Sequence, residues 1–128
     1  MIFLCLPYFL YYVRRIICPN LNAFKVYNKI LTEVISIQKK DLIQEKNLIL
    51  VSLGPTATIL AYDLHRLGYQ AIDVGHMDIE YEWFLRNAST KIKIENKYVN
   101  EANEGRINIS NITEQSYYNQ IIRKIIDK

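Results

Sequence analysis

Two short segments carry the residue types that could do chemistry. The first is Gly54-Pro55-Thr56-Ala57-Thr58, where an apolar run hands over to a helical pattern. The first N–H groups of a helix lack internal partners, and the helix dipole is positive there. A diphosphate can use both. Gly54 lets a ligand come close, and Thr56 and Thr58 add hydroxyl donors. Pro55 suits the first helical position. Thr and Pro are also good helix starters without any ligand, and the segment is neither a Walker loop nor the dinucleotide fingerprint.

The second segment is Asp73-Val74-Gly75-His76-Met77-Asp78-Ile79-Glu80. Asp78 and Glu80 flank one residue, so in an extended or turn segment both carboxylates point the same way. Hard divalent cations take oxygen ligands, and Mg²⁺ is commonly held by one or two carboxylates plus substrate phosphates. An acidic pair beside a phosphate-binding turn is therefore coherent chemistry. Acids at a helix start also simply favour the dipole and stay solvated. His76 suits a ligand, a general base or a phosphate donor, or is structural. Asp73 either contacts ligand or ties down the neighbouring turn. Tyr81 and Trp83 offer flat surfaces for a base or sugar ring, or pack in the core. Asn22 follows an apolar run and caps a helix start, with a ligand contact as the further option.

The elements that must position these residues are legible from pattern. Tyr11–Cys18, YYVRRIIC, reads as a strand stopped by Pro19-Asn20. Ala23 to about Gln38 reads as an amphipathic helix with Phe24, Tyr27, Leu31, Val34 and Ile35 inward. The polar run Lys39–Lys46 is a connector. Leu48–Leu53, LILVSL, reads as a buried strand. The helix from Pro55 presents Ala57, Leu60, Leu64 and Leu67 inward and ends before Gly68. Tyr69–Val74 is the next strand. Strand, helix and strand form a βαβ unit with parallel strands, and ligands bind at the carboxyl edge of such sheets. Beyond Gly75 a helix brings Ile79, Trp83 and Phe84 to one face. Lys91–Val99 suits a short strand or hairpin, and Asn100–Ser110 a loop. Asn111 and Glu114 suggest a capping box for a last helix, Ile112–Ile126, with Tyr118, Ile121, Ile122 and Ile125 inward.

The totals bound the class. The 128 residues make one domain at most, half of them hydrophobic and 23% charged, which is globular composition. The net charge of +3 is mild. Residues 1–46 carry seven Lys and Arg against three acids, and the remainder nine against ten, so nucleic acid is set aside. Cys5 and Cys18 make neither a disulfide framework nor a zinc site, which favours a cytoplasmic protein. Met1–Val13 is almost wholly apolar but shorter than the ~20 residues of a membrane span, and its Arg14-Arg15 pair lies on the wrong side for a secretory signal. It reads as a strand with some leader, the alternative being an anchor. The basic residues after it leave membrane contact open. The sequons at Asn87, Asn108 and Asn111 carry no weight in a cytoplasmic protein.

Several of these segments match one known family in order. LGPTATILAYDLHRLGYQAIDVGHMDIEYEWF, the upstream CPNLNAF..Y..IL and the downstream KYVNE together resemble the GT-D fold glycosyltransferases, over about Tyr12 to Glu101. That family was first catalogued as a domain of unknown function, and its founding member extends glycans on bacterial serine-rich-repeat adhesins. The resemblance implies a Rossmann-like α/β fold, with a small parallel sheet and flanking helices, and a nucleotide-sugar donor such as UDP-glucose. It also implies a divalent metal, Mn²⁺ or Mg²⁺, on a D-x-E motif whose form Asp78-Ile79-Glu80 has. The family domain is about twice this length, and its N-terminal half holds an Arg-Phe-Gly-Asp-Gly-Glu-like segment with no match here. The chain thus resembles the C-terminal half: residues 1–11 are a poorly matching leader, and residues 12–128 a partial domain.

The expected function is metal-assisted transfer of a glucose-like sugar to a glycan or glycoprotein acceptor. Asp78, Glu80 and His76 are the catalytic candidates, with Asp78 and Glu80 on the metal. Gly54, Pro55, Thr56, Thr58, Asp73 and Asn22 are the donor-binding candidates. The rival expectation is a truncated, non-catalytic remnant that binds nucleotide weakly or pairs with another chain, such as a separate N-terminal half or a second copy.

Overall fold

The structure is a computed structural model. It describes residues 2–6, 9–40, 47–106 and 111–127, with backbone alone up to residue 12. Pro7, the connector from residue 41 to residue 46, and residues 107–110 with the Asn108 sequon lie outside the described residues. The chain divides into two compact units, Met1–Gly75 with Tyr118–Lys128, and His76–Tyr117.

The first unit is built on a five-stranded sheet. Its strands are β1 (Ile2–Leu6), β2 (Phe9–Ile17), β3 (Leu48–Val51), β4 (Gln70–Asp73) and β5 (Ile121–Lys124), in the order β4-β3-β1-β2-β5. β3 and β4 pair in parallel, as do β2 and β5, while β1 lies antiparallel between β3 and β2. Two antiparallel steps restore direction, so β2, β3, β4 and β5 all point the same way. The apolar start is thus strand, as one of its two readings had it. No helix among the described residues is long and apolar enough to cross a membrane.

The expected βαβ unit is present as β3, α2 (Pro55–Arg66) and β4. Ala57, Leu60 and Leu64 of α2 are fully buried, and Leu67, just past the helix, is exposed instead of inward. Gly68 takes φ +90° after α2. The Tyr69 N–H donates to Leu64 O and the Gly68 N–H to His65 O, which closes the helix in a Schellman motif. A 3-10 turn, Ala23–Val26, leads into α1 (Tyr27–Lys40). The inner stripe of α1 is Ile30, Val34 and Ile37, with Tyr27, Leu31 and Ile35 packed beside it. Phe24 is exposed against the expectation, its ring 5.2 Å from that of Tyr27. Ile16, Ile49 and Val51 from the sheet complete this core.

The C-terminal segment corrects the pattern reading. Only α4 (Gln115–Asn119) is helical, and residues 121–124 are β5. Arg15, Ile16 and Ile17 of β2 pair with Ile121, Arg123 and Lys124, and the Ile125 N–H donates to Ile17 O at 2.8 Å. β-branched isoleucines are stiff at χ1 and favour a pleated edge, so the sheet outcompetes the helical spacing. Ile125 is buried as expected, whereas Tyr118 and Ile122 are exposed. Because α4 begins at Gln115, Asn111 does not cap it.

The second unit holds α3 (Met77–Leu85) and an irregular chain through Arg106. Ile79 and Trp83 of α3 pack with Ile94, Val99 and Ala102. Phe84, expected on that face, is 75% exposed. Residues 91–99 form turns and no strand. Their backbone bonds locally, Lys97 N–H to Ile94 O, while the Trp83 indole donates to Ile92 O at 2.8 Å. These bonds occupy groups that a hairpin ladder would need.

Candidate functional site

The shared strand direction puts the C-terminal ends of β2, β3 and β4 on one edge of the first unit. β3 leaves this edge through Gly54 (φ 54°, ψ −143°), and β4 through Gly75 (φ 53°). Both glycines adopt a left-handed φ that costs other residues strain. A Cβ built on either meets nothing within 4 Å, so backbone conformation, and not crowding, selects glycine.

Side chains clasp the two exits together. The Ser52 hydroxyl donates to Gly75 O at 2.6 Å, and the Val74 N–H to Val51 O at 2.9 Å. Asp73 accepts twice: from the Thr58 hydroxyl on Oδ2 at 2.7 Å, and from the Gly75 N–H on Oδ1 at 2.9 Å. Asp73 therefore ties down the turn, one of the two roles expected of it. Thr58 is exposed, as a ligand contact must be, but its hydroxyl proton is directed at Asp73. Thr56 is 6% exposed, so little of it is open to a ligand. Pro55 has no N–H, and the Ala57 N–H bonds back to Gly54 O, so the start of α2 offers fewer donors than a helix start without proline.

Asn22 lies past the end of β2 on the same edge. It has φ 51° and ψ 40° and makes no side-chain cap bond. Its expected cap role is therefore replaced by a turn role. Asn tolerates the left-handed region better than most residues, and its carbonyl accepts the Lys25 N–H.

In the second unit His76, Asp78 and Glu80 sit at the start of α3. The His76 carbonyl accepts the Ile79 and Glu80 N–H groups, each at 2.9 Å, and its side chain makes no cap bond. Asp78 and Glu80 are helical, so a separation of two residues turns them about 200° apart around the axis. The extended or turn geometry that would align them is absent. Lys97 also donates to the Asp78 carboxylate at 2.9 Å and to the Asp78 carbonyl at 3.3 Å. One carboxylate is thus already neutralised by an ammonium, and the other points elsewhere. Among the described residues no three His, Cys, Asp or Glu gather in a way that could hold a metal ion. These residues do not fit a divalent metal shared by Asp78 and Glu80.

Glu80 opens instead on a cavity of about 440 Å³ within the second unit, lined also by Trp83, Phe84, Asn87, Ser89, Thr90 and Lys91. Lys91 is ion-paired with Glu101. That hydrogen bond holds the Lys91 ammonium above its usual pKa, with the Glu101 and Glu80 charges adding to it. The Lys91 bond likewise lowers Glu101, helped by the Lys91 and His76 charges. The pairing of Lys97 with Asp78 and the exposed Phe84 had no signal in spacing. They depend on how residues 86–97 fold back on α3.

A Rossmann-like α/β unit with glycine turns at the carboxyl ends of its parallel strands is the class that the fold defines. The Glycosyltransferase GT-D fold family model matches residues 10–102. The chain belongs to this glycosyltransferase family. It is 38% identical over 115 residues to the glycosyltransferase GlyD of Streptococcus pneumoniae serotype 4, covering 90% of this chain and 13% of that protein. It is 40% identical over 116 residues to the probable glycosyl transferase Gly of Streptococcus gordonii, covering 88% of this chain and 16% of that protein. A solved structure described as a new glycosyltransferase (DUF1792) from Streptococcus sanguinis superposes with a TM-score of 0.77 at 39% identity, over 88% of this chain and 40% of that one. A selenomethionine structure of domain of unknown function 1792 gives 0.76 at 41% identity, over 87% and 38%. The chain thus spans about two fifths of the solved relatives and a smaller share of the curated ones.

Proposed function

We propose that the chain binds a nucleotide-sugar donor of the UDP-glucose type at the β3–β4 edge, and that it serves transfer of a hexose to a glycan or glycoprotein hydroxyl. The observation that carries this reading is the clasp of Ser52, Thr58 and Asp73 around Gly54 and Gly75, in a chain of glycosyltransferase ancestry. It holds two left-handed glycine turns open at the edge where ligands of open α/β sheets bind. The diphosphate lies against the α2 N-terminus, where the helix dipole offsets its charge. Thr58 and Asp73 fix the turn, and Gly54 admits the phosphate to the backbone. Asn22 lines the same edge.

In the transfer the acceptor oxygen bonds to the anomeric carbon as that carbon's bond to the diphosphate oxygen breaks. The acceptor proton goes to a carboxylate. Of the two candidate acids of α3, Asp78 is the less available for such a role within its own unit, because Lys97 engages its carboxylate. The His76 charge contributes to the lowering of Glu101.

The test is a thermal shift of the full chain with UDP and UDP-glucose. A saturable rise in the unfolding midpoint is expected, reduced in Asp73→Asn. No shift at millimolar ligand would overturn the reading.

A second reading is binding without transfer, in which this chain pairs with another that supplies the rest of a catalytic centre. The Asp78–Lys97 ion pair favours it, since it withdraws one of the two candidate carboxylates. A donor-hydrolysis assay separates the two. UDP release that falls in Glu80→Gln supports transfer, and a UDP shift with no release supports binding alone.

A further inference from the structure

The cavity beside α3 has a chemistry of its own. Phe84 forms its apolar wall and is 75% exposed, more than any other large hydrophobic among the described residues. Around it stand one amide and two hydroxyls, from Asn87, Ser89 and Thr90, with Glu80 and Lys91 at opposite charge. The recess holds about 440 Å³ and lies largely open to solvent.

The wall is built before any ligand arrives. Asn87 takes φ 48° at the end of α3. The Ala88 N–H donates to Trp83 O and the Asn87 N–H to Phe84 O, a Schellman closure that turns the chain beside the Phe84 backbone. Trp83 lies buried, and its indole pins Ile92 O at 2.8 Å. Lys91 pairs with Glu101 at the surface, its side chain 57% exposed. The Schellman closure and the Trp83 bond fix the backbone of this wall, so that part of the chain need not order on binding.

The ligand class follows from charge and shape. Lys91 and Glu80 oppose one another, and Glu101 already claims the Lys91 ammonium, so no surplus positive charge awaits a phosphate. A flat apolar ring edged by neutral hydrogen-bonding groups matches a pyranose, which has an apolar C–H face and hydroxyls at its rim. We propose that this cavity is a saccharide subsite, in which Phe84 stacks on a neutral sugar ring and Asn87, Ser89, Thr90 and Glu80 bond its hydroxyls. The assignment to the acceptor sugar rests on the glycosyltransferase reading above.

The experiment is saturation-transfer NMR on the full chain with cellobiose, with sorbitol as the non-ring polyol. Transfer to the cellobiose ring protons is expected, with none to sorbitol. Phe84→Ala should weaken the apparent affinity about fivefold, the scale of one aromatic contact, while Phe84→Trp keeps it. Thr90→Val provides a second loss that leaves the ring in place. UDP should not displace cellobiose. No transfer at roughly 50 mM cellobiose, weaker than any useful subsite, would overturn the proposal. Equal transfer in Phe84→Ala, or displacement by UDP, would overturn it as well. A UDP thermal shift without cellobiose transfer sinks the subsite alone. Cellobiose transfer without a UDP shift supports the subsite and sinks the donor edge.

Discussion

The two units of this chain are held together by different physics. The sheet unit buries Ile16, Ile30, Val34, Ile49, Val51, Leu60 and Leu64 almost completely, from strands and helices whose periods put them there. The α3 unit has a smaller core of Ile79, Trp83, Ile94, Val99 and Ala102. Single bonds also tie its irregular segments: the Trp83 indole to Ile92 O, and the Val99 N–H to Gly105 O at 2.9 Å. Burial is non-directional and additive over area, whereas one bond depends on one geometry. The sheet unit should therefore lose stability in proportion to the volume removed, and the α3 unit in proportion to the geometry disturbed.

The largest expected effect tests the first half of that contrast. Leu64 is fully buried on α2 against the sheet. Leu64→Ala should cost about 2–5 kcal/mol, read as a lower urea midpoint. A loss under about 1 kcal/mol would mean that this core is loosely packed. The next tests the second half. A Cβ at Gly105 would lie 2.2 Å from the Val99 carbonyl oxygen, a backbone atom that cannot swing aside. Gly105→Ala should cost about 1–3 kcal/mol by forcing that approach apart. Hydrogen exchange should quicken at the Val99 amide, while amides in β3 and β4 keep their protection. Equal acceleration in β3 would show that the units do not open independently.

The same contrast explains what was legible in the sequence. The βαβ unit could be read because each signal was local: the LILV run, Pro55 at the first helical position, and Gly68 at the close of α2. α3 closes in the same Schellman manner, but on Asn87, where the residue type alone is a weak signal. The Ile121–Lys124 strand could not be read, because its isoleucines also suit a helix and the pairing with β2 comes from more than a hundred residues away. The acidic pair was found, but its geometry depended on α3 starting at Met77. The partner that neutralises Asp78 lies 19 residues on, in a segment whose strand-like pattern gave no hint of the turns it forms. Thr56 and Thr58 are two residues apart on a helix, so only one could face outward, and Thr58 is the exposed one.

A smaller effect belongs to the sheet unit. The Tyr27 hydroxyl donates to Asp63 Oδ2 at 2.5 Å. Burial first, and then the bond and charge of Asp63, raise its pKa to about 12. An unfolded tyrosine titrates near 10. The folded state therefore holds its proton longer, and the added stability is complete below pH ~10 and lost as pH rises toward about 12. Tyr27→Phe should remove about 1 kcal/mol at pH 8 and flatten the alkaline decline. An unchanged alkaline slope in Tyr27→Phe would assign that decline to other groups.

The smallest effect separates structure from chemistry in the α3 unit. Lys97 and Asp78 pair at 2.9 Å with side chains 29% and 48% exposed, so water and salt screen them. Such a pair is worth roughly 0–1 kcal/mol. Lys97→Ala should shift the midpoint by no more than that, and the difference should vanish at ~1 M salt, where the screening length is about 3 Å. The same variant removes the ammonium from Asp78 but leaves Asp78 and Glu80 on opposite sides of α3. If helix geometry keeps a metal off this pair, Lys97→Ala will bind Mn²⁺ no better than the parent chain in a calorimetric titration. If the ammonium alone was the obstacle, Mn²⁺ binding will appear, and the contrast between burial and bond geometry will have been drawn in the wrong place for this helix.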